Sequence, residues 1–274
     1  MTVSERSDLP GARRVVVKVG SSSISGENAT KIRPIVQALA EAHARGTEVV
    51  LVSSGAIATG MPFLALDERP TDLATQQAAA AVGQNVLIYR YQEALRPFAI
   101  VAGQVLLTAG DLENPTPRSN ARRAMERLLG LRILPIVNEN DTVATHEIRF
   151  GDNDRLAALV AQLISADALV LLSDIESLYT RPPTEPGAAP IDRVAPDDDL
   201  SQFEFGSVVV NSVGTGGAAT KASAARLASA AGIGVLVTSA DLVSEALTGQ
   251  AVGTWFAPNP DAPRPAATAS IRTA

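Results

Sequence analysis

The chain has 274 residues, enough for one large α/β domain or two small ones, and its 46% hydrophobic and 19% charged residues exclude disorder for the bulk of it. Lys and Arg number 23 against 29 Asp and Glu, a net charge of −6, which is a poor match for nucleic acid but leaves room for a small anion held by a few lysines and backbone amides. There are no cysteines, so disulfides, thiolate nucleophiles and cysteine zinc clusters are excluded.

Residues 1–14 are polar and charged, lack the apolar core of a signal peptide, and are expected to form a flexible N-terminus. Val15-Val16-Val17-Lys18-Val19 is a β-branched run stopped by Gly20 and a serine cluster, the pattern of a central strand feeding a loop. A helix is predicted over 29–45, ending at Gly46, followed by a buried strand over 48–52 closed by Ser53-Ser54-Gly55. Next come an alanine-rich helix over 72–96, a strand over 100–107, a helix over 119–129 and a strand over 132–137. Alternation over 143–150 suggests a hairpin. The rest reads as a helix over 152–165, a strand over 168–172, a Pro- and Asp-rich loop over 181–200, a helix over 217–231 and a strand over 233–237, with a short helix and a strand near 252–256. From 258 to 274 the Ala, Pro and Thr composition cannot build a core, so disorder is expected there. Strand and helix alternate throughout, which favours a mainly parallel sheet covered on both faces. No run approaches the roughly 18 apolar residues of a membrane span, so a cytoplasmic protein without membrane contact is expected.

Four places carry candidate chemistry. Lys18, with Gly20, Ser21, Ser22 and Ser23, is either a strand lysine meeting an anion whose oxygens the following backbone amides approach, or an edge-strand lysine pointing at water. Ser53-Ser54-Gly55-Ala56 stands at a strand-to-helix turn, where hydroxyls and amides hold carboxylate or phosphate but also serve as ordinary helix caps. Gly214-Thr215-Gly216-Gly217-Ala218-Ala219-Thr220-Lys221 opens a helix and suits an anion, with a structural loop as the alternative. It is not a Walker A loop, because Thr220 rather than glycine stands directly before Lys221 and Ala222 follows it, and it fits the Rossmann fingerprint poorly. Asn138, Asp141, Asp152, Asn153 and Asp154 follow the apolar run 133–137, where an open α/β sheet binds its ligands. Capping and turn formation account for some of the five, not all. Asp174 follows Ser173 at another strand end. The two histidines, His43 and His146, are too isolated to suggest a metal site, and His43 falls in a predicted helix as a surface residue.

Lys18-Val19-Gly20-Ser21-Ser22, Ser53-Ser54-Gly55-Ala56-Ile57-Ala58, Asn138-Glu139-Asn140-Asp141, Gly151-Asp152-Asn153-Asp154, Leu178-Tyr179-Thr180 and Gly214-Thr215-Gly216-Gly217 through Lys221 appear in this order. The ordered set resembles the successive motifs of the amino acid kinase family, in its glutamate 5-kinase branch, over residues 15–257. The resemblance implies a three-layer αβα sandwich with glutamate over its N-terminal half and ATP over its C-terminal half. It also implies that Lys18 and Lys221 contact the phosphates, with Gly20 and Ser21 beside them. Ser173, Asp174 and the loop of Thr215, Gly216, Gly217, Ala218, Ala219, Thr220 and Lys221 would hold the nucleotide. Ser54, Gly55, Ala56, Asn138, Asp141 and Asn153 would hold glutamate, and Asp154 with Asp152 would orient the lysines or the magnesium. Mg2+ is expected to be held mainly by the ATP phosphates rather than by the protein.

The sequence departs from the family pattern at Ile175-Glu176-Ser177, where a glycine is commoner before Leu-Tyr-Thr, and at Ala218 and Ala219, which replace Met and Ser. Many members also carry a C-terminal PUA domain, and this sequence ends before one could form. The implied reaction is phosphorylation of the γ-carboxylate of L-glutamate, the first step of proline biosynthesis. Inhibition by proline, a partner glutamate-5-semialdehyde dehydrogenase, and a dimer or tetramer are implied with it. Rivals on the same fold are acetylglutamate, aspartate, carbamate and uridylate kinases, against which the 138–141 and 151–154 motifs argue. A non-catalytic amino-acid sensor is disfavoured by the presence of both lysines.

Overall fold

The apolar runs of the sequence carry hydrophobic side chains on both faces, so they are stable only between two covering layers. The computed structural model describes residues 3–24, 26–144, 153–205 and 217–263. Among these residues, eight strands form one sheet: β1 (Arg14–Val19), β2 (Glu48–Val52), β3 (Ala102–Leu107), β4 (Leu134–Glu139), β5 (Ala168–Ser173), β6 (Arg193–Val194), β7 (Gly234–Ser239) and β8 (Thr254–Phe256). Their order is β3-β4-β2-β1-β5-β7-β8-β6. The first six in that order are parallel, β8 runs antiparallel to β7, and β6 runs parallel to β8.

Side chains alternate across the sheet and so split the core in two. Val15, Val17, Leu51, Val170 and Leu172 pack with α1 (Ile32–Ala44), α3 (Leu73–Leu95) and α8 (Val243–Leu247). Val16, Val50, Val52, Leu169 and Leu171 pack with α5 (Pro115–Gly130), α6 (Asn153–Leu163) and α7 (Ala218–Ala230). The result is the αβα sandwich expected, with the C-terminal ends of the parallel strands along one edge.

Local chemistry sets the helix ends. Gly46 takes φ +100° after α1, where a left-handed residue closes the helix at little steric cost. The Asp72 side chain accepts a 2.8 Å bond from the Thr75 amide at the start of α3. Two short helices, α2 (Ala56–Gly60) and α4 (Ala109–Glu113), went unpredicted, and α5 begins earlier than expected, with Pro115 at its first position. β6 lies inside the segment expected to be a loop. Its pairing is supplied by β8, more than sixty residues later, with Arg193 opposite Trp255.

Both chain ends differ from expectation. Val3, Leu9 and Ala12 are buried, Arg6 donates to the Asp192 carboxylate at 2.8 Å, and the Trp255 indole donates to the Ser4 carbonyl at 3.1 Å. The segment expected to be a flexible N-terminus is therefore packed against the β6–β8 end of the sheet from residue 3 onward. At the other end Asn259 donates its amide to the Ser229 carbonyl at 2.8 Å and Ala262 is buried, so 258–263 are packed. Residues 264–274, like most of the hairpin expected over 143–150, lie outside the described residues. No helix among the described residues is long and apolar enough to cross a membrane.

Gly60 and Gly83 bring α2 and α3 into backbone contact. A Cβ on Gly83 would lie 1.7 Å from the Ala56 carbonyl oxygen, and one on Gly60 would lie 1.9 Å from the Ala79 carbonyl oxygen. Neither oxygen belongs to a side chain that could rotate away. Gly83→Ala is expected to lower stability by about 1–3 kcal/mol through overpacking, outweighing the 0.5–1 kcal/mol or so that alanine brings to a helix interior. Urea unfolding checks this; an unchanged or raised midpoint would contradict the contact.

Candidate active site

Lys18 lies near the C-terminal end of β1, with Val52 of β2 opposite it on one side and Leu171 of β5 on the other. It is thus in the middle of the sheet, and the edge-strand alternative does not hold. Its ammonium lies 2.5 Å from Asp154 Oδ1, while the Lys221 ammonium lies 3.1 Å from Asp154 Oδ2. Lys18 and Lys221 are 3% and 6% exposed and Asp154 is 0% exposed, so all three charges meet away from water.

The elements deliver this meeting by simple means. Asp154 stands in the first turn of α6 and Lys221 in the first turn of α7. The two helices pack side by side, and both bury small residues, Ala157, Ala158 and Ala161 on one and Ala222, Ala225 and Ala228 on the other, which suits a close interaxial approach. Both N-termini therefore open beside the end of β1. An aspartate suits that end of a helix because the dipole favours negative charge there. Burial pushes its carboxyl up, but the charges of Lys18 and Lys221 outweigh burial and hold it down to about 2. Two ammonium groups and two helix N-termini meet here, and both kinds of group attract negative charge. That is a place for a polyanion.

A second group of polar side chains lies next to it at the ends of β2 and β4. Asn153, the first residue of α6, donates through Nδ2 to the Ser53 carbonyl at 2.6 Å and to Asn138 Oδ1 at 2.8 Å. Asn138 Oδ1 also accepts from the Glu139 amide at 2.9 Å, and Asn138 Nδ2 donates to Gln84 Oε1 at 3.2 Å. Ser54 and Gly55, both half-buried, follow β2, and Gly55 takes φ +85° to lead into the buried Ala56. Asp141 is half-buried in the turn after β4.

Lys18, Lys221, Asp154, Asn138 and Asn153 are thereby brought together. Gly20 sits beside the first of them, since a Cβ there would lie 3.9 Å from Lys18 Nζ, and the half-buried Ser21 follows. Gly217 caps α7 by donating its amide to Thr220 Oγ1 at 3.0 Å, and Ala218 and Ala219 stand half-buried in the first turn. Buried Ser173 ends β5 and donates to the exposed Asp174 at 3.0 Å. Asp152, Thr215 and Gly216 lie outside the described residues. Among the described residues no cluster of three or more His, Asp or Glu is arranged to hold a metal ion.

Comparison with known proteins agrees with this architecture. The model of the amino acid kinase family matches residues 13–239. The chain belongs to that family. It is 70% identical over 258 residues to a glutamate 5-kinase of Leifsonia xyli subsp. xyli, covering 94% of this chain and 96% of the relative. A glutamate 5-kinase of Clavibacter sepedonicus is also 70% identical, covering 94% and 99%, and one of Salinispora arenicola is 54% identical, covering 94% of this chain and 71% of the relative. The fold is shared with a carbamate kinase from Giardia lamblia bound to AMP-PNP, at TM-score 0.67, 16% identity, and coverage of 91% and 100%.

Two polar residues outside every motif of this amino acid kinase also lie here. Gln84 and Tyr91 of α3 reach the polar group at the ends of β2 and β4; the hidden signal was a seven-residue polar spacing, Gln77, Gln84 and Tyr91, inside an alanine-rich helix.

The folded Asp154 pKa of about 2 lies below its ordinary 3.8. Its ionisation therefore contributes stability that is fully present above about pH 4 and is lost as pH falls toward 2, about 2 kcal/mol in size. Asp154→Asn leaves two buried ammonium groups without their carboxylate, so it is expected to lower stability at pH 7 by about 3–5 kcal/mol. The wild-type advantage should shrink between pH 4 and pH 2 in urea unfolding; an advantage independent of pH would contradict the pairing.

Proposed function

We propose that this amino acid kinase transfers the terminal phosphoryl group of ATP to the γ-carboxylate of L-glutamate, giving ADP and γ-glutamyl phosphate. The convergence of Lys18 and Lys221 on Asp154 beside an amide-lined pocket is the observation that carries this reading. The activity named for the relatives at 70% identity supports it.

A carboxylate oxygen attacks the γ-phosphorus while the bond from that phosphorus to the bridging oxygen breaks, and the electron pair leaves with ADP. A free glutamate side chain titrates near 4.3, so the nucleophile is already ionised near pH 7 and no side chain need take a proton from it. What remains for the protein is alignment of two anions and compensation of charge on the moving phosphoryl group. Buried ammonium groups, backbone amides and helix N-termini suit both tasks.

Lys18 and Lys221 would bind phosphate oxygens, with Gly20 and Ser21 at their side and Asp154 setting the two ammonium groups. Ser173, Asp174 and the segment 215–221 would hold the nucleotide. Mg2+ would be bound mainly through phosphate oxygens, with Asp152 near it. Ser54, Gly55, Ala56, Asn138, Asp141 and Asn153 would line the glutamate pocket. An acyl phosphate hydrolyses readily, so a dehydrogenase that reduces it would consume the product. Proline as an inhibitor overlapping the glutamate pocket, a dimeric or tetrameric state and a cytoplasmic setting belong to the same proposal.

Coupled ADP-release assays should register turnover with Mg-ATP and L-glutamate, and little with N-acetylglutamate, aspartate, carbamate or UMP; preference for one of those acceptors would replace this reading. Lys221→Ala should lower kcat by about 10²–10³-fold, the effect of removing one donor aimed at developing charge, with glutamate still bound. Unchanged turnover would take that lysine out of the reaction. Asp141→Ala should raise the glutamate KM, and a normal KM would remove Asp141 from the pocket.

A further inference from the structure

Three polar residues of α3 stand at seven-residue intervals: Gln77, Gln84 and Tyr91. Seven residues are close to two helical turns, so the three share one face along about 21 Å of helix. Each ends on a different part of the acceptor side of the site. Gln77 Nε2 donates to the Ala144 carbonyl at 3.2 Å, beyond the turn that holds Asp141. Gln84 Nε2 donates to the Glu139 carbonyl at 3.1 Å while its Oε1 accepts from Asn138 Nδ2 at 3.2 Å. The Tyr91 hydroxyl shares a 2.9 Å bond with Ser53 Oγ. Tyr91 is fully buried, and burial pushes its hydroxyl well above the ordinary range, so it stays neutral and keeps its proton for hydrogen bonding.

We propose that this stripe of α3 positions the acceptor pocket, by fixing Ser53, Asn138 and the 139–144 turn at its border. This inference rests on the glutamate-kinase reading above. The bonds form a circuit that leaves α3 at Tyr91, passes through Ser53, Asn153 and Asn138, and returns to α3 at Gln84. A backbone amide can only donate, so the bond from Glu139 N forces Asn138 to turn its oxygen toward β4 and its NH2 toward Gln84. Both hydrogens of Asn153 are then spent on Ser53 and Asn138. One hydrogen of Asn138 Nδ2 lies beyond the Gln84 bond and Asn153 keeps Oδ1 as its acceptor, and these are the donor and acceptor the proposal assigns to the pocket. Reversal of either amide would exchange the two and misplace a ligand that carries both ammonium and carboxylate groups.

Close packing does not hold Asn138 by itself. A cavity of about 10 Å3 adjoins it, lined by Ser53, Gln84, Leu87, Tyr91 and Asn138 among others. Its volume is near that of one water-sized site, so packing on that side leaves Asn138 Nδ2 dependent on Gln84 for its exact position, while Oδ1 is held by Glu139 N and Asn153. Gln77, Gln84 and Tyr91 are positioning residues on this account, acting through Ser53, Asn138 and the 139–144 turn.

The test is steady-state kinetics on the wild-type protein, Gln84→Met, Gln77→Ala and Tyr91→Phe, with glutamate and ATP varied separately and melting temperatures recorded. Gln84→Met should raise the glutamate KM about five- to tenfold, the equivalent of one hydrogen bond, while the ATP KM stays within twofold. Gln77→Ala, at a half-exposed position, keeps the test alive where the Gln84 variant does not fold, and should shift the glutamate KM in the same direction. Tyr91→Phe keeps the ring and should give a smaller rise of the same selectivity. A glutamate KM within twofold of wild type in Gln84→Met and Gln77→Ala, or equal rises in both substrates' KM, overturns the proposal while leaving the reaction intact. A wild-type chain inert toward glutamate overturns both.

Discussion

One buried carboxylate between two buried ammonium groups is the constraint on which the rest of this molecule depends. A lysine taken out of water without a partner is strongly destabilising, and even a paired buried charge gives back little net stability. Asp154 helps to make Lys18 and Lys221 tolerable inside the protein, and two ammonium groups beside two helix N-termini suit an anionic ligand. The side-by-side packing of α6 and α7 is what allows one aspartate to serve two lysines that lie some two hundred positions apart in the chain.

The site divides by chemistry. The half built from β1, α6 and α7 gathers lysines and helix N-termini, whereas the bonded network at the ends of β2 and β4 is made of carboxamides, a hydroxyl and carbonyl groups, with Asp141 in the turn beyond. Amides are directional where charges are not, so this network needs neighbours to set its orientation, and α3 stands where such neighbours are required. The backbone contact of Gly60 and Gly83 serves the same half, since it fixes the start of α2, and with it Ser54 and Gly55, against α3.

Much of this was legible in the sequence. The β-branched runs revealed β1, β2, β4, β5 and β7 because strands buried on both faces must be apolar at every position. The site motifs were legible because they follow those strands directly. Lys18 was ambiguous, since a lysine within a strand does not reveal which neighbours flank it; β2 and β5 on either side decide the matter. α2 and α4 span five residues each, too few turns for a periodic signal. β6 depends on a partner more than sixty residues away, and the packing of residues 3–13 depends on Asp192 and Trp255, so neither leaves a local trace. The stripe of Gln77, Gln84 and Tyr91 was masked because polar residues two turns apart read as scattered exceptions in an alanine-rich helix.

The most direct measurement is a crystal structure of the protein with Mg2+, a non-hydrolysable ATP analogue and L-glutamate. The account predicts both Lys18 Nζ and Lys221 Nζ within about 3 Å of phosphate oxygens, with Asp154 still between them and the glutamate side-chain carboxylate facing the terminal phosphate. A terminal phosphate bound away from either ammonium group would contradict it.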